Sequence, residues 1–168
     1  MSSPPSSPWA PRTHPDPDPW PAHVDVFIVG AGISGLGAAY HLQDQRPGTT
    51  FAIAEAQDSF GGTWWTHRYP GVRSDSDLFT LGYRFKAWGG NPIAKGPEIL
   101  RYLEEVIDEN DLARHIHYRH RVESASWSTE DKRWTVEVRN SETDETRTVT
   151  AGFLWMCQGY YRHGEGYK

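Results

Sequence analysis

Gly30-Ala31-Gly32-Ile33-Ser34-Gly35 follows directly on Val24-Asp25-Val26-Phe27-Ile28-Val29, and no other feature of the 168 residues restricts the fold as strongly. The β-branched and aromatic run, broken only by Asp25, reads as a buried strand. The glycines stop it at once. Leu36, Ala38, Ala39, Tyr40 and Leu42 then keep a helical spacing to about Gln45, and Arg46-Pro47-Gly48 ends the helix. Phe51, Ile53 and Ala54 make a second strand closing at Glu55. The unit is strand, tight glycine turn, helix and strand within about thirty residues.

That unit has a physical use. Gly30 permits a sharp turn, Gly32 lets backbone approach a pyrophosphate with no Cβ in the way, and Gly35 lets helix and strand pack closely. Unpaired N–H groups and the helix dipole at the helix N-terminus then favour the negative charge. Glu55, twenty residues beyond Gly35, stands where a carboxylate can accept hydrogen bonds from both hydroxyls of an adenosine ribose, and it disfavours a 2′-phosphate there. FAD and NAD share this ADP moiety, so the fingerprint leaves the choice between them open.

Composition removes other classes. Seventeen Lys and Arg against 22 Asp and Glu give a net charge of −5, which argues against a sequence-independent nucleic-acid binder. Mean hydropathy is −0.69 and no apolar run approaches the ~20 residues of a membrane span, so no transmembrane segment is expected. Cys157 is the only cysteine, which excludes an intrachain disulfide and fits a reducing, cytoplasmic setting. Eight of the twelve prolines lie between Pro4 and Pro21, among Ser2, Ser3, Ser6 and Ser7. Residues 1–23 therefore read as a disordered tail without a secretory h-region, and residues 24–168 as the folding body.

Residues 56–94 hold no long periodic element but contain Gly61-Gly62-Thr63-Trp64-Trp65 and Arg68-Tyr69-Pro70-Gly71-Val72-Arg73-Ser74-Asp75-Ser76-Asp77. Tyr69 to Val72 fits a type II turn. The two glycines with Thr63 and Trp64 either form a packed aromatic loop or lay backbone against a flat ring system and cover it with an indole. Ile99, Leu100, Leu103, Val106 and Ile107 predict a surface helix from Pro97 to about Asn110. Ile116–Ser128, Trp134–Arg139 and Thr146–Thr150 alternate as in an antiparallel meander, and Phe153–Cys157 reads as a buried strand left through Gln158-Gly159-Tyr160. His115 and His117 would share a strand face near His120. Without an acidic or cysteine ligand beside them, no metal is expected. Cys157 reads as a packed core thiol.

The ordered set of GAGISG, Glu55, GGTWW and RYPGVRSDSDLFTLGYRF resembles the class B flavoprotein monooxygenases, the group of Baeyer-Villiger and flavin-containing monooxygenases. The resemblance covers about residues 24–168. It implies an α/β, Rossmann-like FAD-binding domain, here incomplete, carrying an antiparallel β-meander insertion. It further implies that Gly30, Gly32, Ser34 and Gly35 hold the FAD pyrophosphate, Glu55 its ribose, that Thr63 and Trp64 lie along the flavin, and that Val122 lies near the adenine. Arg73 and Asp75 fall where that family brings FAD and NADPH together, and Asp75 matches the acid that helps to set the catalytic arginine. The implied reaction uses NADPH and O2 on a small ketone, sulfide or thioamide. The family's second GxGxxG and its catalytic arginine have no counterpart in these residues, and Gln158 replaces the usual Ser or Thr. The alternatives are a truncated module that binds FAD or ADP without catalysis, and an NAD-linked reductase on the same fold.

Overall fold

A computed structural model describes Trp9 and residues 16–161, so most of the predicted tail, residues 1–8 and 10–15, lies outside the described residues. Strand β1 (His23–Val29) leads through the glycine turn into helix α1 (Ile33–Gln45) and back to strand β2 (Phe51–Ala54), as the sequence predicts. β1 and β2 are parallel, with Val26 beside Phe51 and Val29 beside Ala54. Residues 55–95 contain only two single-turn helices, α2 (Thr63–Thr66) and α3 (Leu78–Leu81). The predicted turn forms: Val72 N–H donates to the Tyr69 carbonyl at 3.2 Å with Gly71 at φ 84°.

Helix α4 (Gly96–Glu109) starts one residue before the predicted Pro97, which lies in its first turn, and is capped by the Glu98 carboxylate, which accepts the Lys95 N–H at 2.8 Å. Its apolar face lies on the helix side of the sheet. Ile99, Leu103, Val106 and Ile107 join Leu36, Ile28 and Ile53 in one buried cluster. A short 3-10 turn (Ala113–His115) then feeds strand β3 (Ile116–His117).

Beyond β3, strands β4 (His120–Ser128), β5 (Arg133–Asn140) and β6 (Thr146–Met156) form the antiparallel meander. The six strands run in the order β3-β2-β1-β6-β5-β4. β3 and β4 stand at opposite ends of that order yet are joined by Tyr118 and Arg119 alone, so the sheet bends back over itself. The inside of the bend is a second core, in which Phe27, Val29 and Ala54 meet Val136, Val138, Val149 and Ala151. Among the described residues, no helix is long and apolar enough to cross a membrane.

Three expectations need correction. The single predicted strand 116–128 is broken at Tyr118-Arg119, where Arg119 takes a φ of 59°. Thr146–Thr150 and Phe153–Cys157 are one strand, β6, whose first half pairs antiparallel with β5 and whose second half pairs parallel with β1. Its second half is also not buried: Phe153 is 56% exposed, Trp155 39% and Met156 52%. Phe153 and Trp155 stand beside Val26 and Ile28 on the face that α1 covers, but α1 does not reach across to β6. A groove of about 650 Å³ remains there, between Phe153, Trp155, Leu42 and Arg46.

The end of the predicted tail is laid on the sheet rather than free of it. Asp18 accepts from Arg114 at 2.7 Å and donates its N–H to the Arg114 carbonyl at 2.8 Å. Both side chains are exposed, so solvent screens this pair and ring packing holds the segment more firmly. Trp20 stacks on His117 with centroids 3.6 Å apart and planes 17° apart, and lies 6.0 Å from Phe27.

β6 pairs with β5 only as far as Ala151, so residues 152–156 present a strand edge beside an uncovered aromatic face. Edges and apolar patches of this kind are templates for other chains. The 168-residue chain should self-associate in sedimentation velocity, and replacing Phe153 and Trp155 together by Ser should move it toward monomer with unchanged far-UV circular dichroism. Unaltered self-association would show that another surface drives it.

Candidate functional site: the paired glycine loops

Two glycine loops that are thirty residues apart in sequence meet at the C-terminal end of β1. Gly61 N–H donates to the Ala31 carbonyl at 3.0 Å, which sets the second loop against the first. A Cβ built on Gly62 would lie 3.4 Å from the Gly32 α-carbon, so the two backbones face each other without side chains between them. Gly61 and Gly62 have φ values of 108° and 52°, a conformation that favours glycine.

The three glycines of the first loop serve different ends. Gly30 turns at φ 100° under the exit of β6, where a Cβ would lie 2.8 Å from the Cys157 carbonyl oxygen. Gly35 is the helix contact, since a Cβ there would lie 1.9 Å from the Gly30 carbonyl oxygen. Gly32 is different. A Cβ there would find nothing nearer than the Gly62 α-carbon at 3.8 Å. The chain itself therefore does not demand glycine at 32, and the open space in front of its backbone is a cradle that a side chain would fill.

Gly32 is also the N-cap of α1, and no side chain caps this end. With no acidic residue in the first turn, the N-terminal N–H groups and the positive end of the helix dipole are left for an anion. The exposed Ser34 lies in that same turn.

Glu55 follows β2 and is 5% exposed. Its Oε2 accepts the Ala31 N–H at 2.7 Å and its Oε1 accepts the Gln57 N–H at 2.8 Å. Burial pushes the carboxyl above its ordinary value, while the N–H groups of Ala31 and Gln57 pull it back. Each carboxylate oxygen has a second lone-pair direction, so the group can brace the glycine loop and still accept a hydroxyl. The sequence indicates the second capacity and not the first.

The remaining expected residues lie around this centre to different degrees. Thr63 is exposed at the start of α2 and Trp64 is half-buried, whereas Trp65 is in the core, its indole N–H donating to Asp58 at 2.8 Å. Only Trp64 of the pair is free to line a neighbouring ring. Val122 is half-buried on β4, two residues beyond His120, whose N–H donates to the Glu55 carbonyl at 2.8 Å. Arg73 makes an isolated antiparallel bridge with Lys95. Asp75 is exposed on the loop between Arg73 and α3.

The histidines do not share a strand face. His115 ends the 3-10 turn with its ring 4.2 Å from that of Phe51, and His117 lies under Trp20. Burial, and then the charge of His120, lowers the His117 imidazole to about 4. Tyr83 went unread in the sequence: its hydroxyl donates to the Ile33 carbonyl, and its ring would be 2.9 Å from a Cβ at Gly37. A helix interior glycine opposite a tyrosine in GYRF is the signal that could have revealed this clamp on the first turn of α1.

A strand, a glycine turn, an uncapped helix and an acid at the end of the next strand define a Rossmann-like dinucleotide-binding unit. Residues 28–106 match the model of the NAD(P)-binding Rossmann-like domain family. The chain is homologous to FAD-containing monooxygenases: it is 50% identical over 147 residues to the FAD-containing monooxygenase EthA of Mycobacterium tuberculosis (strain H37Rv), a match covering 87% of this chain and 30% of that protein. Among solved structures it is similar to an oxidised steroid monooxygenase bound to NADP, with 39% identity, a TM-score of 0.73, and 82% of this chain against 26% of that one. It is also similar to OTEMO in complex with FAD and NADP, with 30% identity, a TM-score of 0.68, and 81% against 26%. The chain thus spans about 30% of the length of the curated relatives it matches.

The different steric settings of two glycines give a direct check. Gly32→Ala should leave the urea unfolding free energy within about 0.5 kcal/mol of the parent. Gly35→Ala drives a methyl into a backbone carbonyl and should cost about 1 to 3 kcal/mol or more. Equal effects in the two variants would contradict this geometry.

Proposed function

We propose that this chain is the N-terminal, FAD-binding part of an NADPH-dependent flavin monooxygenase. The observation that carries the reading is the meeting of the two glycine loops at the uncapped start of α1, with Glu55 bracing the first loop from β2. In this reading Gly30, Gly32, Ser34 and Gly35 cradle the pyrophosphate, and the helix N-terminus supplies its donors. Glu55 accepts from the ribose, Val122 lies against the adenine, and Thr63 and Trp64 line the flavin. Arg73 and Asp75 stand on the loop where FAD and NADPH approach each other, Asp75 acting indirectly by holding a cationic group that these residues do not supply.

When bound and reduced by NADPH, FAD supplies the activation of O2 from which one oxygen atom goes to a ketone, or to a sulfur or nitrogen centre such as a sulfide or thioamide. The chain's own contribution is to bind, orient and exclude water. The names of the homologous monooxygenases support the cofactor and the reaction class, and the cytoplasm, which holds NADPH and keeps the Cys157 thiol reduced, is the compartment this reading implies. A second reading keeps the site and drops the catalysis. The 168 residues contain a single GxGxxG, as a module binding FAD or ADP would.

The visible spectrum of purified protein tests the proposal. Bound FAD supports both readings, and bleaching of its band by NADPH in air, with oxygenated product, selects the monooxygenase. Gly32→Val should lose FAD with secondary structure retained, and Glu55→Ala should raise the FAD dissociation constant by at least about tenfold, as expected for hydrogen bonds to a charged acceptor. Retention of FAD equal to the parent in both variants would overturn the reading.

A pH dependence follows from the same carboxylate. Ribose hydroxyls donate to its charged form, and burial holds the carboxyl above its ordinary value. FAD affinity should therefore fall as the pH is lowered from neutral toward that raised value, earlier than for an ordinary glutamate. A fluorescence titration should show this slope in the parent and its absence in Glu55→Ala.

A further inference from the structure

We infer that the segment 16–22 is a positioning strap for the adenosine end of the dinucleotide site, and that Trp20 is the residue through which it acts. The inference rests on the dinucleotide reading above.

The backbone of Glu55 is gripped by the turn between β3 and β4. Its N–H donates to the His117 carbonyl at 2.9 Å, and its carbonyl accepts the His120 N–H at 2.8 Å. Arg119 N–H adds a third bond to the Gln57 carbonyl at 2.8 Å. Glu55 can hold the glycine loop and face a ribose only as firmly as this turn is held.

The turn is held from the meander side, where Ser141 N–H donates to the Arg119 carbonyl at 2.8 Å and His120 pairs with Asn140, but its β3 side is short. β3 is two residues long, shorter than the strands that usually hold a register, and among the described residues it pairs only with β2. Ile116 is buried in the helix-side core. On the opposite side the imidazole of His117 is covered by Trp20, whose ring centroid is 3.6 Å away and nearly parallel, and the ring of His120 meets Trp20 edge-on at 5.3 Å. One indole therefore touches both histidines whose backbone groups grip Glu55.

The strap is fastened on either side of that indole. Asp18 is tied to Arg114 by side chain and backbone, and Arg114 lies in the 3-10 turn that leads into β3. Ala22 accepts the Thr150 N–H at 3.0 Å, on β6. Among the described residues, the buried indole N–H of Trp20 has no hydrogen-bond partner. A donor left unsatisfied opposes burial, so it is the ring and not the N–H that keeps Trp20 in place. Phenylalanine should consequently do the same work.

The test measures the affinity and stoichiometry of FAD and of ADP for the full 168-residue chain, by fluorescence titration and calorimetry. Trp20→Ala should raise both dissociation constants by the same factor, about tenfold, at unchanged stoichiometry, because the adenosine end is common to the two ligands. Trp20→Phe should stay within about twofold of the parent. Asp18→Ala with Arg114→Ala removes the side-chain tie of the strap, leaves its backbone bond and the Trp20 ring in place, and empties no core position; it should shift both ligands in the same direction by a smaller factor, and it also decides the matter if Trp20→Ala does not fold. Parent affinity in both the Trp20→Ala and the double variant overturns the strap while leaving the dinucleotide reading intact. Lower stoichiometry at unchanged affinity marks Trp20 as structural only and also overturns it. A parent chain that binds neither FAD nor ADP removes the dinucleotide reading, and this inference falls with it.

Discussion

The peptide group of Ala31 is the point on which the site depends. Its N–H is held by the Glu55 carboxylate at 2.7 Å and its carbonyl by the Gly61 N–H at 3.0 Å, so one residue joins the loop after β1, the end of β2 and the second glycine loop. Ala31 is fully buried, where a hydrogen bond to a charged acceptor is stronger than in water and an unmade one is costly. The arrangement fixes the backbone in front of α1 before any ligand arrives. Preorganised donors of this kind need no rearrangement when an anion binds, which is why a rigid scaffold beneath a glycine loop matters more than the glycines alone.

Around that point the molecule is layered. Helices α1 and α4 cover one face of β1 and β2, and the meander folds back over the other. Phe27 and Ile28, adjacent in sequence and both fully buried, point into these two different cores. The layering ends at β6, whose second half has β1 on one side and an apolar face that the helices do not reach. A strand rich in Phe, Trp and Met is written for a covered position, and the exposure of Phe153 and Trp155 marks where further polypeptide or another chain would gain most by packing.

Much of the fold was legible because its signals are local. The strand, glycine turn and helix of residues 24–45, the turn at Tyr69-Pro70-Gly71-Val72 and the first turn of α4 around Pro97 each rest on backbone preferences that neighbours in sequence settle. The errors arose where distant segments decide. In sequence Thr146–Thr150 and Phe153–Cys157 look like two strands because the alternation of apolar and polar residues changes near Ala151. It changes because β6 moves from pairing with β5 to pairing with β1, which a one-dimensional pattern cannot distinguish from a break. The tail was read from its prolines, yet the stacking of Trp20 on His117 orders its last part across almost a hundred residues of chain.

The sequence by itself therefore determined the kind of site: the glycine spacing, the helix it opens and the acid twenty residues on are chemical requirements of holding a dinucleotide, and they are written in residue type and interval. The tertiary structure alone decided how that site is held. That Glu55 braces Ala31, that Gly32 faces the bare backbone of Gly62, and that Tyr83 clamps the first turn of α1 are facts of approach between segments 24 to 50 residues apart. Interval and composition specify which groups can bond. Only the packing of the two cores brings those groups within reach and excludes the water that would otherwise compete for them.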